Sequence, residues 1–189
     1  MKCLSCENYS FSIICKDCQK NLLTPSFHKR EISKNFFNYS FYSFSEIEDL
    51  LTSKYYFHGD RVYNILAKLS FAKFASSFTF DKIVYSIGID EHTRHEFSQT
   101  AILSRHLKSK YIKPLYGKCK ATKQIKYAGK DLEFRKKNKR RFQTNLENKN
   151  IILVDDLITT GTTILEAKNT LEKKGNNILF SLTLADAKI

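Results

Sequence analysis

Thirteen residues, IILVDDLITTGTT (151–163), pass from an apolar run to two adjacent carboxylates and then to threonine hydroxyls around one glycine. Adjacent acids accept hydrogen bonds from a diol or hold a cation. Small hydroxyl residues leading into a helix offer backbone N–H groups and a positive dipole end to an anion. A phosphate beside two carboxylates would be repelled, so Asp155 and Asp156 must face another part of the same ligand: a sugar diol, a bound cation, or both. The ligand implied is a sugar phosphate held at both ends, with Thr159, Thr160, Gly161, Thr162 and Thr163 around the phosphate. This is not a Walker loop, because no GxxxxGKS/T occurs and no lysine follows the glycine. Two other readings exist. One is a receiver-type phosphoacceptor, which also places acids and magnesium at a strand end but needs no TTGTT; the other is a plain structural turn.

A second cluster is Cys3-x2-Cys6-x8-Cys15-x2-Cys18. Each CxxC makes a tight knuckle with two thiolates aimed at one centre, and four thiolates in tetrahedral array form a closed structural zinc site. An iron centre or a disulfide pair are the alternatives; thiols kept reduced in a cytosolic chain favour metal. Between the knuckles YSFSII (9–14) has the pattern of a short hairpin edge. So small a segment cannot bury a core, so the metal supplies its folding energy, about 10–16 kcal/mol in comparable peptides.

A third feature is charge. Eleven Lys or Arg residues lie between Lys118 and Arg141 against Asp131 and Glu133, so this segment carries +9 of the net +13. Such a patch points to nucleic acid, a phosphorylated metabolite or an acidic membrane surface, unless it is only a solvated charge run.

The elements that must position these groups follow from pattern. A chain of 189 residues at 42% apolar can build one good core plus a small appendage. No apolar run is long enough for a membrane span and MKCLSCENYS is not a signal peptide, so a cytoplasmic protein is expected. Residues 1–25 form the finger and 26–189 the main domain, divided into an aromatic-rich part (26–80) and an α/β core (82–189) with a basic loop at 117–147. Fifteen of the twenty-five Phe and Tyr residues lie between 27 and 80, either packed in a core or stacked on bases. There FNYSFYSF alternates like a strand, SEIEDLLTSK opens a helix with Ser45 as N-cap, and Asp60 caps a second helix. KIVYSI (82–87), YIKPLY (111–116), NIILVDD (150–156) and NILFSLTLA (177–185) read as strands, with helices at 94–107 and from Thr162 to a stop at Gly175. Alternation of this kind predicts an α/β fold with a mostly parallel sheet flanked by helices, and ligands in such sheets bind beyond the carboxyl ends of the strands.

VDDLITTGTT resembles the phosphoribosyl-pyrophosphate (PRPP) motif of type I phosphoribosyltransferases, position by position. The resemblance implies that fold, with the ribose 2′- and 3′-hydroxyls on Asp155 and Asp156. The 5′-phosphate would lie in a PRPP-binding stretch that runs through Leu157 and Ile158 to Thr163, and the loop Ser86, Ile87, Gly88 and Ile89 would lie against the diphosphate. Mg2+ would bridge diphosphate and ribose. Over nearly its whole length the chain is similar to the ComF family of competence proteins. The finger, KYYFHGD (54–60), HEFSQ (95–99) and TKQIKYAGKDLEFRKKN (122–138) follow the family's order. Phe97, Gln99, Thr122, Gln124, Arg135, Asn138 and Phe142 match its pattern, whereas His95, Glu96 and Ser98 depart from it.

That family implies a role in natural transformation, with single-stranded DNA handled in the cytoplasm, PRPP as ligand and other DNA-uptake proteins as partners. A peripheral place at the inner membrane is the second location. For the chemistry, Asp155 and Asp156 would serve a cation-like sugar, and Lys126 and Arg135 the departing diphosphate. Arg135, Lys136, Lys137, Lys139, Arg140 and Arg141 would meet the DNA. A metabolic phosphoribosyltransferase acting on a nucleobase or another small acceptor is the alternative. Only four residues follow Ala185, so no C-terminal hood over an acceptor is expected.

Overall fold

The computed structural model describes residues 1–89, 97–123 and 140–189. After the cysteine segment and helix α1 (Lys16–Leu22) the chain forms a hairpin, β1 (His28–Ser33) and β2 (Phe36–Ser43). Helices α2 (Phe44–Thr52), α3 (Gly59–Leu69) and α4 (Phe71–Ser77) follow, with a 3-10 turn at Ser53–Tyr55. Then come β3 (Val84–Gly88), α5 (Gln99–His106), β4 (Ile112–Leu115), a small ribbon of β5 (Lys120–Ala121) and β6 (Phe142–Gln143), β7 (Asn150–Ile158), α6 (Thr162–Glu172) and β8 (Asn177–Asp186).

Among the described residues six strands form one sheet in the order β1-β2-β8-β7-β3-β4, and all neighbours are parallel except β1 with β2. β7 lies inside the sheet, and Ile151, Ile152, Leu153 and Val154 are all fully buried, as a parallel strand covered on both faces requires. Its side chains alternate between two cores. Ile152 and Val154 join Tyr42, Leu66, Leu103 and Leu182 beneath α2 to α5; Ile151 and Leu153 join Ile87, Ile164, Leu171 and Ile178 beneath α6.

The expected α/β architecture is present, with several local corrections. The aromatic-rich part supplies β1 and β2 to the same sheet, because β2 pairs with β8 from Asn38↔Ser181 to Ser43↔Asp186; residues 26–80 and 82–189 share one sheet. The helical spacing of Val62, Tyr63, Leu66, Ala67 and Phe71 is core packing. Helix α2 is capped by Ser43, whose N–H donates to Glu46 Oε2 at 2.7 Å, two residues earlier than the sequence suggests. Asp60 lies inside the first turn of α3 rather than at its cap. Residues 9–14 contribute only a single bridge, Lys2↔Tyr9, instead of a hairpin. α6 runs to Glu172 and Gly175 is its stop, as expected: that residue has φ +75°, its N–H donates to Glu172 O at 2.9 Å and the next N–H, of Asn176, to Leu171 O at 3.4 Å. The cysteine segment packs onto the domain: Cys3, Ile13, Ile14, Cys18 and Leu23 belong to the same buried cluster as Tyr42 and Ile47, and the Tyr42 hydroxyl donates to the Leu23 carbonyl at 3.0 Å. Among the described residues no helix is long and apolar enough to cross a membrane.

Candidate functional site

β7 is two residues longer than the sequence pattern suggests, so the acid pair sits within its last ladder rungs, Asp155 opposite Thr183 and Leu157 opposite Ala185. That pairing fixes the backbone beneath both carboxylates. Asp155 Oδ1 accepts the Asp156 N–H at 2.9 Å. Asp156 Oδ2 accepts from Lys54 Nζ at 2.8 Å. The Tyr63 hydroxyl stands 3.2 Å from both that oxygen and the Leu51 carbonyl, so its one hydrogen is shared between them.

These contacts separate the two acids electrostatically. Burial and the neighbouring Asp156 charge push the Asp155 carboxyl well above the usual carboxylate range. Burial acts on Asp156 in the same direction, but the Lys54 ammonium and the Tyr63 hydroxyl outweigh it and hold Asp156 low. The Asp156 charge in turn raises Lys54, and Tyr63 is raised by burial and by that same charge. Asp156 is therefore the fixed anion. Asp155 is the strained one, relieved by any hydroxyl donor or cation that docks against it.

Beyond β7 the chain turns through Thr159, Thr160 and Gly161 into α6. Gly161 has φ +78°, a left-handed conformation that a side chain would strain, and this turn aims the helix start back at the sheet edge. Thr160 Oγ1 lies 2.9 Å from Thr162 Oγ1 and 3.4 Å from the Thr162 N–H. Asp155 and the stretch Leu157–Ile164 line one depression, whereas Asp156 is turned to Lys54 and Tyr63 and is not part of that lining.

Two residues brace this loop from a distance that no local motif reveals. Arg30, on β1, donates from Nη1 to Asp186 Oδ1 at 2.6 Å and from Nη2 to the Thr159 carbonyl at 2.9 Å. Asp186 ends β8 with its side chain fully buried. Removing one partner of a buried ion pair leaves the other uncompensated, which costs about 3–5 kcal/mol. Arg30→Met is therefore expected to destabilise the fold by about that amount in urea denaturation. A loss below about 1 kcal/mol, the range of an exposed pair, would show that the pair is not what holds the loop.

Other expected site residues fall differently. Ser86, Ile87 and Gly88 are not a loop: they continue the ladder of β3 with β7 and β4. Ser86 and Ile87 are fully buried, the Ser86 hydroxyl lies 3.4 Å from the Ser104 carbonyl, and the Ile89 N–H donates to Val154 O at 2.8 Å. Their side chains are thus core, and the residues that follow, 90–96, lie outside the described ones. Lys126, Arg135, Lys136, Lys137 and Lys139 also lie outside them. Arg140 and Arg141 are described: their N–H groups donate to the two Glu166 carboxylate oxygens at 3.1 and 2.7 Å, which ties that end of the basic segment to α6. The Arg140 charge also favours ionised Asp155.

The four expected cysteines come together. Their sulfurs all lie within 4.8 Å of one another, with Cys6 and Cys15 3.7 Å apart. A tetrahedron with metal–sulfur bonds of about 2.3 Å has edges of about 3.8 Å, so the cluster can hold a metal such as zinc. Main-chain N–H groups of Cys15 and Ser5 point at Cys3 Sγ, at 3.2 and 3.4 Å. Burial raises this thiol and the N–H groups outweigh it, bringing Cys3 down to about 6, whereas the neighbouring sulfurs raise Cys6 and Cys18.

No protein-family model matches the chain, and no curated protein matches it. Among solved structures, a hypoxanthine phosphoribosyltransferase from Staphylococcus aureus is similar in two crystal forms. Each match covers 66% of this chain and 62% of that one at 16% identity, with TM-scores of 0.39 and 0.41. The UMP synthase of Leishmania donovani matches 66% of this chain and 22% of its own length at 17% identity, with a TM-score of 0.38. The similarity thus spans less than two thirds of each of those proteins, at scores that do not by themselves define a common fold.

Proposed function

We propose that this chain is a type I phosphoribosyltransferase-like protein that binds PRPP and acts in natural transformation, handling imported single-stranded DNA in the cytoplasm. The observation that carries the ligand assignment is the convergence of Asp155 and the threonine loop on one depression at the carboxyl edge of a parallel sheet. In this reading the ribose hydroxyls donate to Asp155 and Asp156. Thr159–Thr163 and the start of α6 take the 5′-phosphate. Mg2+ arriving with PRPP would sit near the acid pair and offset charge on the diphosphate. Lys54 and Tyr63 keep Asp156 anionic and oriented, so that its charge favours a cation-like C1. The cysteine cluster would hold structural Zn2+.

Charge supports the DNA half of the proposal, since +9 of the net +13 lies in 118–141, whose end is fastened to α6 through Glu166. Neutralising Arg135, Lys136, Lys137, Lys139, Arg140 and Arg141 together is expected to weaken single-strand binding. It should also flatten the salt dependence by up to about four in log–log slope. Identical slopes for the two proteins would place the DNA surface elsewhere. Other DNA-uptake proteins and a peripheral inner-membrane position belong to the same proposal.

One observation favours the metabolic alternative. Tyr55, Tyr56 and Phe57, just after Lys54, are 48%, 57% and 84% exposed, and rings beside a sugar site can stack an acceptor base. Incubating the protein with PRPP, Mg2+ and either nucleobases or single-stranded DNA, and measuring diphosphate release, separates the two. Release driven by a free base would favour the metabolic enzyme; PRPP binding without release supports the DNA-handling role. Absence of PRPP binding removes both.

A further inference from the structure

Away from the acid pair, the β5–β6 ribbon and the carboxyl end of α6 enclose an open cavity of about 580 Å3, within the range of small-molecule sites. Lys118, Lys120, Lys173 and Lys174 line it together with neutral polar residues such as Thr144 and Asn145, and no carboxylate does among the described residues. Lys174 pairs with Glu147 at 3.6 Å, both well exposed. Lys118, Lys120 and Lys173 have no ion-pair partner among the described residues. Gly117, at φ +63°, turns the ribbon so that the Lys120 side chain lies back across it; a Cβ built on Gly117 would stand 3.2 Å from Lys120 Cε. Lysines gathered around one concavity, three of them with no carboxylate partner among the described residues, repel each other unless an anion joins them.

Two further observations define the anion. Lys173 is eleven residues beyond Thr162, about 16 Å along the helix direction, so this is not the threonine loop. Among the described residues the one aromatic in the walls is Phe142, and it is 6% exposed, so they offer phosphate contacts rather than a ring for a base.

We infer that this cavity is a second anion site, for a compact chain of phosphates such as inorganic polyphosphate or the tail of a nucleoside triphosphate. It stands independently of the PRPP reading. Tripolyphosphate and ATP, titrated separately into the metal-loaded full chain, are expected to bind. Lys118→Gln, Lys120→Gln, Lys173→Gln and Lys174→Gln combined should weaken both by about tenfold or more. Thr160→Ala with Thr163→Ala should leave them unchanged. The substitutions fall on exposed or half-exposed side chains; should the combination fail to fold, Lys173→Glu alone carries the same test. ATP binding more tightly than tripolyphosphate would identify a nucleotide as the source, and equal affinity a bare phosphate chain. No binding of either probe overturns the proposal, as does loss only in the threonine variant, or binding of single-stranded DNA alone that the lysine variant loses.

Discussion

Converting Asp155 and Asp156 together to asparagine is expected to abolish magnesium-dependent PRPP binding while the chain stays folded. Each hydrogen bond to a charged group contributes about 1.5–3 kcal/mol, so losing one per acid weakens binding by roughly a hundred- to ten-thousand-fold. Unchanged affinity in calorimetry would remove the ligand assignment. The single variants should separate in stability, with opposite signs. Asp155 has a raised carboxyl in the folded state, so its contribution is fully present below its unfolded value and is lost as pH rises through the folded one. At neutral pH its ionised form therefore costs stability. Asn keeps the oxygen that accepts the Asp156 N–H, so Asp155→Asn should melt higher than the parent near pH 7, and the difference should vanish in acid. Asp156 is held low, so its contribution is present above the unfolded value and is lost as pH falls through the folded one. Asp156→Asn leaves Lys54 without its carboxylate and should melt lower at neutral pH. Melting curves from pH 4 to 8 decide the matter; equal shifts of one sign would mean that Lys54 does not discriminate between the acids.

Removing the metal from the cysteine cluster should have the largest structural effect. Structural zinc in small peptides contributes about 10–16 kcal/mol of apparent folding free energy. Here the loss should spread, because Cys3 and Cys18 are buried in the same cluster as Tyr42, Ile47 and Leu66. Cys3→Ser with Cys6→Ser is expected to lose about one metal per chain in elemental analysis. Hydrogen exchange should rise in β2 and α2 as well as in residues 1–25. Exchange confined to the first twenty-five residues would show an independent finger, and full metal retention would refute the site.

The acid pair, the threonine loop and the four cysteines were readable because each is contiguous or closely spaced and has a residue pattern that only a few chemistries need. β7 was readable for another reason: four fully buried apolar residues in a row leave little but a parallel strand. What escaped is what sequence separation hides. Arg30 and Asp186 are 156 positions apart, and nothing near Arg30 marks it as a partner. Lys54 and Asp156 are 102 apart, though Lys54 does open the KYYFHGD stretch. Ser86 and Ile87 belong to the strand that the 82–87 pattern indicates, and only the family resemblance drew them into a loop, because a βα loop and the last rungs of its strand look alike until the pairing partner is known. The aromatic part of the main domain gave no sign of sharing the core's sheet because its composition differs, yet hydrogen bonding made β2 a neighbour of β8.

That last pairing has a consequence for how the chain comes off the ribosome. β2 carries Phe36, Phe41 and Tyr42, and among the described residues its neighbours are β1 and β8. Its aromatic edge is made roughly 140 residues before its partner emerges, so the nascent hairpin must wait, uncovered, while the centre of the sheet is still being made. Closure of such distant pairs is slow, and waiting aromatic strands are prone to mispairing. Docking of α2 and α3, whose Ile47, Leu51 and Leu66 share a core with Phe41 and Tyr42, would cover the hairpin in the meantime.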